Sequence, residues 1–427
     1  MIAVQEALER ILTHTHRLSV EEQCLGDCLY QALAEDIIAE RDIPPVSNSA
    51  VDGYGLRAED TLIVDSSDHI VALKVVDMVP AGAISQTVIE PGQAVQIMTG
   101  ASIPQGVNAV VMVEDTERSA DMVFVTKRLN QGENIRAAGE DVRQGEVILK
   151  EGTLLKPACI GMLAALGKSA VNVVRRANVG IVSTGDELIE LGEPVTDGRI
   201  YDYNAYSLAA LIRKYYGIPV SYGIARDDRQ DLAAKISTAL MQSDIVMISG
   251  GVSMGDRDYV KEVLVELGAH IHFWRVACKP GRPLVFATWN NRLIFGLPGN
   301  PVSVMVAFEE FVRPAMLKAM GYSSLQKIAI WAELKEDIHK KPGRTHFMRG
   351  KLKRQGERFF VSFTGEQGSG ILSSMVRGNC LIHVPQHVSS LSKGNKVLVQ
   401  ILDVEEVPQE DDQSLQEENI KLMPGGT

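Results

Sequence analysis

From Asn178 to Met320 the chain alternates apolar runs with amphipathic ones, and the loops between them are glycine-rich or acidic. They read "VSTGDEL" at 182–188, "ISGGVSMGDRDY" at 248–259 and "GLPGNPVS" at 296–303. Each stands where a strand hands over to a helix, and that rhythm predicts a doubly wound α/β sheet. In such a sheet these turns gather at the carboxyl edge of the strands, where ligands bind. Glycine lets backbone N–H groups close on a phosphate, and a helix N-terminus adds a favourable dipole. Carboxylates in the same loops do not hold phosphate, but they hold a divalent cation that does. A phosphorylated ligand with Mg²⁺ is the leading expectation.

The individual elements follow from periodicity. "NVGIVST", "PVSYGIAR", "DIVMISG" and "RLIFGL" are apolar runs of strand length. "NAYSLAALIRKYYG", "DLAAKISTALMQS" and "DYVKEVLVELG" carry apolar residues at helical spacing, such as Leu232, Ile236 and Leu240. Asn300 is a candidate cap and Pro301 a first-turn residue for the helix that follows. Upstream, residues 3–40 predict helix with one break: "VQEALERIL" has a clear stripe, and "GDCLYQALAEDIIAERDIPP" continues until Pro44–Pro45. Residues 46–146 change to short strands punctuated by glycine and proline ("ALKVVDMV", "AVQIM", "AVVMV", "MVFVT"). "KPACIGMLAALG" then resumes as helix, so the β-rich stretch reads as an insertion between helical pieces. Beyond 328, "IAIWAEL", "FFVSF", "LIHVP" and "KVLVQIL" predict a small β-barrel.

The expected organisation is 1–45 plus 147–177 as a helical rod piece and 46–146 as an inserted β-rich module. The α/β domain is 178–327, the barrel 328–404, and the acidic segment 405–427 an unstructured tail. At 427 residues, two to four domains are expected. A net charge of −11 excludes a generic nucleic-acid binder, which carries a basic face. No run is long and apolar enough for a membrane span, and "MIAVQEALERILTHTH" has no signal-peptide core, so a cytoplasmic enzyme is expected. Five scattered cysteines do not form a disulfide framework. His14, His16, Cys24 and Cys28 match no zinc spacing. The 248–259 loop lacks the Gly-Lys-Ser/Thr of a nucleotide P-loop, and no GxGxxG is present.

One acidic residue after a strand is ordinarily a cap or solvated. Here Asp186–Glu187, Asp227–Asp228 and Asp256/Asp258 end successive strands, which favours one cation site at the sheet edge. Lys279 and Arg282 flank a Pro-Gly turn in "KPGRP"; alone this is a hairpin with solvated ends, but the turn also directs both charges at one oxyanion. "SNSAVDGYG" (47–55), the "IMTGASIP" segment and the "NIRAAGEDV" segment read by spacing as structural turns.

Together, "SNSAVDGYG", "IMTGASIP", "NIRAAGEDV", "VGIVSTGDEL", "SGGVSMGDRDYV", "KPGRP", "LPGNPVSVMVAFEEFVRP" and "GSGILSSMVRGN" closely resemble the molybdopterin molybdenumtransferase family, which is related to the E domain of gephyrin. They run in family order from about residue 44 to 382. The resemblance implies a four-part α/β protein: a helical rod piece, an inserted β-rich module, a doubly wound molybdopterin-binding domain and a C-terminal β-barrel. It also implies a homodimer with the active site shared between subunits. The implied reaction takes adenylated molybdopterin and molybdate with Mg²⁺, releases AMP and leaves molybdenum on the dithiolene.

Carried over residue by residue, the resemblance implies Glu187, Asp227 and Asp258 at the metal and phosphates, within the loop of Thr184, Gly185 and Asp186. Gly250, Gly251, Ser253, Pro298, Gly299, Asn300 and Pro301 would line the pterin-phosphate cleft. Lys279, Arg282 and Ser303 would handle molybdate. Asp52, Thr99, Arg136 and Asp141 would come from the partner subunit's module. Ser369 or Ser373, with Arg344 or Arg349, would close the cleft from the barrel. Val51 and Gly55 stand where the family usually has Met and Ala, and Arg282 where it usually has Lys. The competing readings are a molybdopterin adenylyltransferase and a non-catalytic scaffold. The inserted module and barrel argue against the first, and the intact charged set against the second. Hand-over of product to other cofactor-biosynthesis proteins is a further expectation.

Overall fold

The computed structural model describes residues 1–64, 70–252 and 259–403. Ser253, Asp256, Asp258 and the acidic tail lie outside them. The chain forms two compact units. One is Glu22–Leu29 with Leu33–Asn172; the other is Met1–Glu21, Tyr30–Ala32 and Val173–Thr427.

The unit built on residues 33–172 centres on a six-stranded sheet. Its order is Ala109–Met112, Gly53–Leu56, Gln93–Ile97, Val71–Val79, Met122–Val125, Thr116–Ser119. Alternation sends neighbouring residues into different cores. Val111 packs with Leu73 and Val123, while Val110 packs with Val95 and Ile97. The turn expected at Asp52–Gly53 is instead the entry to an interior strand, paired on both sides. Gly53 is required there, because a Cβ would fall 1.8 Å from the Val111 carbonyl oxygen.

The helix expected over 26–40 does not form. Ile37–Ile38 is a short strand paired with Val147–Leu149. The Leu33 N–H donates to Thr153 O at 2.9 Å, and the Ala39 N–H to Glu146 O at 2.8 Å. Helix-like composition is a weak prior, and these distant partners take the backbone groups a helix would need. The helix Pro157–Ala165 forms as expected, with proline in its first turn.

In the other unit, the helix Val4–Thr13 buries Ala7 and Ile11 in the core of the α/β domain. The six-stranded sheet there runs Ile218–Ala225, Asn178–Thr184, Ile245–Ser249, Arg292–Leu297, Val285–Trp289, His270–Phe273. The first four strands are mutually parallel. The last two are antiparallel additions that hydropathy did not reveal. Both faces are covered: Ile181 and Met247 face a core with Leu208 and Phe308, whereas Val182 and Ile248 face one with Ile236 and Val263. That explains why these strands read as continuous apolar runs rather than alternating ones.

The strand order reverses direction between Asn178–Thr184 and Ile245–Ser249. Such a switch point is where a doubly wound sheet opens a crevice at its carboxyl edge.

Downstream, Thr345–Gln355, Arg358–Phe363, Ala329–Leu334, Lys396–Ile401 and Cys380–Val384 pair in a ring that closes back on the first, a five-stranded barrel. Leu352, Val361, Ile382 and Val399 fill it. The barrel is stitched to the α/β domain by a two-residue parallel pairing, Cys278 with Thr345 and Lys279 with His346. A buried ionic group reinforces the junction: Lys327 Nζ lies 3.2 Å from Glu309 and 2.8 Å from Glu310, and Gln400 of the barrel donates to Glu310 at 3.3 Å. Among the described residues, no helix is long and apolar enough to cross a membrane.

Candidate functional site

A cleft of about 820 Å³ opens at the carboxyl edge of the α/β sheet, over the switch point, and the barrel supplies its far wall. Thr184, Gly185, Glu187, Asp227, Gly250 and Gly251 line one side. Pro298, Gly299, Asn300 and Ser303 form the floor towards the basic turn Lys279–Pro283. Arg344 and Ser369 reach in from the barrel.

The acidic end is built by two strand ends holding each other. The Asp227 N–H donates to Asp186 Oδ1 at 3.1 Å, and the Asp186 N–H returns to Asp227 Oδ2 at 3.4 Å. Thr184 Oγ1 donates to Asp227 Oδ1 at 3.4 Å. Glu187 folds its carboxylate back over Gly185, where a Cβ would stand 2.5 Å from Glu187 Oε2. Asp228 keeps its ordinary role as cap of the helix Arg229–Gln242, accepting from the N–H groups of Gln230 and Asp231. Asp186 is not a cap: a short strand, Leu188–Ile189, follows it, and its carboxylate braces Asp227.

The glycine loop is close-fitting. Gly250 has φ +99°, and a Cβ on it would lie 2.5 Å from the Thr184 carbonyl oxygen. Any side chain there would push the two loops of the switch point apart.

At the other end, Lys279 and Arg282 both face the cleft on a turn held by the Val276 N–H donating to Arg282 O at 3.1 Å. Arg344 joins them from the barrel. Neighbouring His346 is buried, and burial, then Lys340, Lys279 and Arg344, push its pKa down to about 4. It is neutral near pH 7, so the positive charge here belongs to the lysines and arginines. Asp227 and Glu187 follow the first two strands of the sheet order, whereas the basic turn leads into Val285–Trp289, the fifth.

Several expected residues sit elsewhere. Pro301 starts the helix Pro301–Ala307 but is not on the cleft wall, and Asn300 occupies the cap position without a capping hydrogen bond from its side chain. Of the barrel alternatives, Ser369 lines the cleft and Ser373 is exposed at the start of the helix Ser373–Val376. Arg344 lines it too, whereas Arg349 is 1% exposed. Arg349 donates to Ser374 Oγ and to Gly368 O, both at 3.0 Å, and so shapes the loop that carries Ser369. Ser253 and Asp258 lie outside the described residues.

Other wall residues escaped sequence reasoning. Asn204 is buried and donates to Gly299 O at 2.8 Å and Ser249 Oγ at 3.1 Å, bridging two loops. Tyr201, Tyr203 and Cys278 also line the cleft. The only signal for Asn204 was a polar residue on the buried face of an amphipathic helix.

In the other unit, the three segments that read as separate turns are laced together. Ser49 pairs with Ile135, and Arg136 with Asn48. The Ser49 N–H donates to Ala101 O, and the Gly100 N–H to Ser49 O. The Asp141 N–H donates to Ile43 O. Asp52 Oδ1 accepts from the backbone N–H and the hydroxyl of Thr99, at 2.7 and 2.8 Å. Those two bonds, the backbone one first, hold the Asp52 carboxyl below its ordinary pKa. Asp52, Thr99, Arg136 and Asp141 are all exposed.

A doubly wound domain with glycine loops at its switch point, and a cleft acidic at one end and basic at the other, defines a protein that binds a small anionic ligand. The comparisons narrow the class. Residues 180–318 match the family model described as "Probable molybdopterin binding domain". Residues 2–167 match "MoeA N-terminal region (domain I and II)", and 332–402 match "MoeA C-terminal region (domain IV)". A molybdopterin molybdenumtransferase of Haemophilus influenzae is 35% identical over 410 residues, spanning 94% of this chain and 98% of that protein. One from Bacillus subtilis is 34% identical over 405 residues, spanning 94% of each. The crystal structure of the molybdopterin biosynthesis moeA protein from Pyrococcus horikoshii superposes with a TM-score of 0.80, at 33% identity, over 94% of this chain and all of that one. The chain belongs to the molybdopterin molybdenumtransferase family, enzymes of molybdenum cofactor biosynthesis.

Proposed function

We propose that the enzyme inserts molybdate into adenylated molybdopterin with Mg²⁺-dependent release of AMP. The observation that carries this reading is the polarity of one continuous cleft: carboxylates at one end, glycine loops between, and three cations at the other. A ligand with a phosphoanhydride in its middle and an oxyanion to be delivered at one end fits that order.

Glu187 and Asp227 would hold Mg²⁺. Among the described residues, no group of three His, Cys, Asp or Glu is placed to hold a metal ion. Two carboxylates nonetheless suit Mg²⁺, which commonly keeps several waters and binds through one or two carboxylates plus substrate phosphate. When bound, the cation would neutralise charge developing on the departing phosphate. The backbone around Gly250 and Gly251 would seat the phosphates, and Thr184 and Asp186 hold Asp227 in place. Lys279, Arg282 and Arg344 would receive molybdate, with Ser303 beside them. The five cysteines are all free, which supports a reducing compartment, the cytoplasm. Incubating purified protein with adenylated molybdopterin, Mg²⁺ and molybdate should yield AMP, and its absence when all three are supplied would refute the reading.

We also propose a homodimer in which Asp52, Thr99, Arg136 and Asp141 of one subunit complete the partner's cleft. Four exposed polar side chains on laced loops, one of them a carboxylate already held ionised, support this. Mixed dimers of Asp52→Ala and Asp227→Ala subunits should then regain activity. One cleft would carry both defects and the other neither, giving about half of wild-type turnover per heterodimer by this count. Verified heterodimers without recovery would remove Asp52 from the shared site. Hand-over of the product to further cofactor-biosynthesis proteins completes the proposed role.

A further inference from the structure

The C-terminal barrel is charged against the rest of the chain. Residues 328–403 carry 12 lysines and arginines but 6 aspartates and glutamates, in a protein whose net charge is −11. Strand register gathers several of these cations on one outer face. Leu352, Val361, Leu334 and Val397 fill the interior, so the residues alternating with them point outwards. Across that face Lys353 stands opposite Phe360, Phe360 beside Glu333, and Glu333 opposite Lys396. Lys351 and Arg358 extend the row along their strands, and Lys335 Nζ lies 3.7 Å from the Phe360 ring centroid. Lys335, Lys351, Arg358 and Lys396 are exposed, and among the described residues no ion pair engages them. Glu333 lies among them and Glu357 in the adjoining turn. Two further carboxylates are turned to backbone, Glu336 accepting from the Phe363 N–H at 3.2 Å and Asp337 from the Lys393 N–H at 2.7 Å. The face is left positive.

Apolar side chains lead from this face to the point where the chain leaves the barrel. Trp331, opposite Leu398, is 64% exposed, and Ile328 is 59% exposed. The Ile401 N–H donates to Ile328 O at 2.9 Å. Lys214 then fixes the exit: its Nζ donates to Leu402 O at 2.7 Å and lies 3.4 Å from Asp403. The sequence that continues from there, 404–427, carries 7 aspartates and glutamates against one lysine. Its negative excess of six equals the positive excess of the barrel. It opens with Val404 and Val407, and its densest charge is Glu410-Asp411-Asp412. From Leu402 back to Lys396 is about 20 Å at roughly 3.3 Å per strand residue. An extended chain from Asp403 to Glu410 spans up to about 25 Å, enough to bring that acidic triplet to Lys396.

We propose that the acidic segment 404–427 docks on the outer face of its own barrel. Val404 and Val407 lie against Ile328 and Trp331, and Glu410–Asp412 face Lys396, Lys335 and Lys353. Single exposed ion pairs contribute little, but several charges acting together on a tethered segment do not need to be strong. A short tether holds its end at an effective concentration in about the millimolar range. The attraction is between exposed charges, so salt weakens it: the screening length falls from about 10 Å at 0.1 M to about 3 Å at 1 M. None of these barrel residues lines the cleft. The contact covers the cations of the barrel with anions of the same chain, and so keeps other polyanions off a surface that would attract them.

Zero-length carbodiimide cross-linking of the full-length protein at low salt, read by mass spectrometry, tests this. Isotopically light and heavy chains are unfolded and refolded together, so that any dimers are mixed. Links should join Glu410, Asp411 or Asp412 to Lys335, Lys353 or Lys396 within chains of one label, and should be lost at about 1 M NaCl. A second readout is acrylamide quenching of Trp331, the most exposed tryptophan, since Trp274 and Trp289 are half-buried. Neutralising the triplet in the full chain (Glu410→Gln, Asp411→Asn, Asp412→Asn) should increase quenching. Lys335→Gln with Lys396→Gln, at exposed positions that leave the fold intact, should increase it equally, and the two sets combined should add nothing further. Links only between light and heavy chains would assign the face to a second copy and overturn the proposal. So would an absence of links to these lysines, links that survive 1 M NaCl, or quenching that neither set of substitutions changes.

Discussion

Replacing Asp227 by Asn should abolish most Mg²⁺-dependent AMP release while the protein folds and binds its pterin substrate. The side chain is held by Thr184 Oγ1 and the Asp186 N–H, and the Asn carbonyl oxygen can accept from one of these donors in the same place. What the substitution removes is the charge. Glu187 and Asp202 are the other described carboxylates on the cleft wall, and Asp202 is engaged as the cap of the helix Tyr203–Lys214, so losing the Asp227 charge removes one of the two carboxylates proposed to hold the cation. Preorganised electrostatic groups aimed at developing charge are typically worth about 10²- to 10³-fold in rate each, and a loss of that order in kcat is expected here. The melting temperature should change little, because Asp227 lies at the surface of a loop rather than in either apolar core. The decisive measurements are turnover at saturating pterin and molybdate, a Mg²⁺ titration and a thermal melt. Wild-type turnover in a folded Asp227→Asn protein would end the cation-site assignment.

The parts of this fold that could be read in the sequence are those with strong periodicity or buried strands. Asn178–Thr184, Ile245–Ser249 and the helix Arg229–Gln242 announce themselves because each must satisfy one apolar environment along its whole length. Thr345–Gln355 did not, although it is the longest strand. Its second half, "KLKRQ", carries charges on the outer barrel face, and its pairing partners are set only by ring closure. Residues 26–40 misled for the opposite reason, since local composition favours helix but distant backbone partners win. Likewise the acidic and basic loops could be placed at one sheet edge from their order in the chain. Asn204, Cys278 and Tyr201 could not, because their place on the wall depends on how the loops fold over the strand ends. Choosing Arg344 over Arg349 at the wall likewise needed a burial, since two arginines five residues apart in one sequence motif look alike until one is enclosed.

Arg282 should set the concentration of molybdate the enzyme needs. Molybdate is a small dianion, and taking it from water requires charge-assisted donors in fixed positions. The turn carrying Lys279 and Arg282 is constrained at both ends. Lys279 is paired in the barrel junction with His346, and Arg282 O accepts from Val276. Its middle, Gly281, takes φ +96°, a conformation that favours glycine, with Ser303 O 3.6 Å from where a Cβ would sit. The guanidinium therefore starts from a preorganised backbone. Since His346 is neutral, Arg282→Ala removes one of three cationic side chains at this end, and Lys279 and Arg344 remain. Loss of one charge-assisted contact corresponds to roughly a 10- to 150-fold rise in half-saturating molybdate. Pterin affinity should move far less, because the glycine loops proposed to seat the phosphates follow other strands. Arg282→Lys keeps the charge but replaces a planar fork by a point donor, so activity should persist with a changed ratio of molybdate to tungstate use. A molybdate titration at saturating pterin, run beside direct pterin binding, separates the two ends of the cleft. If Arg282→Ala lost pterin affinity and left the molybdate response unchanged, the turn would belong to the phosphate site, and the polarity proposed for the cleft would be reversed.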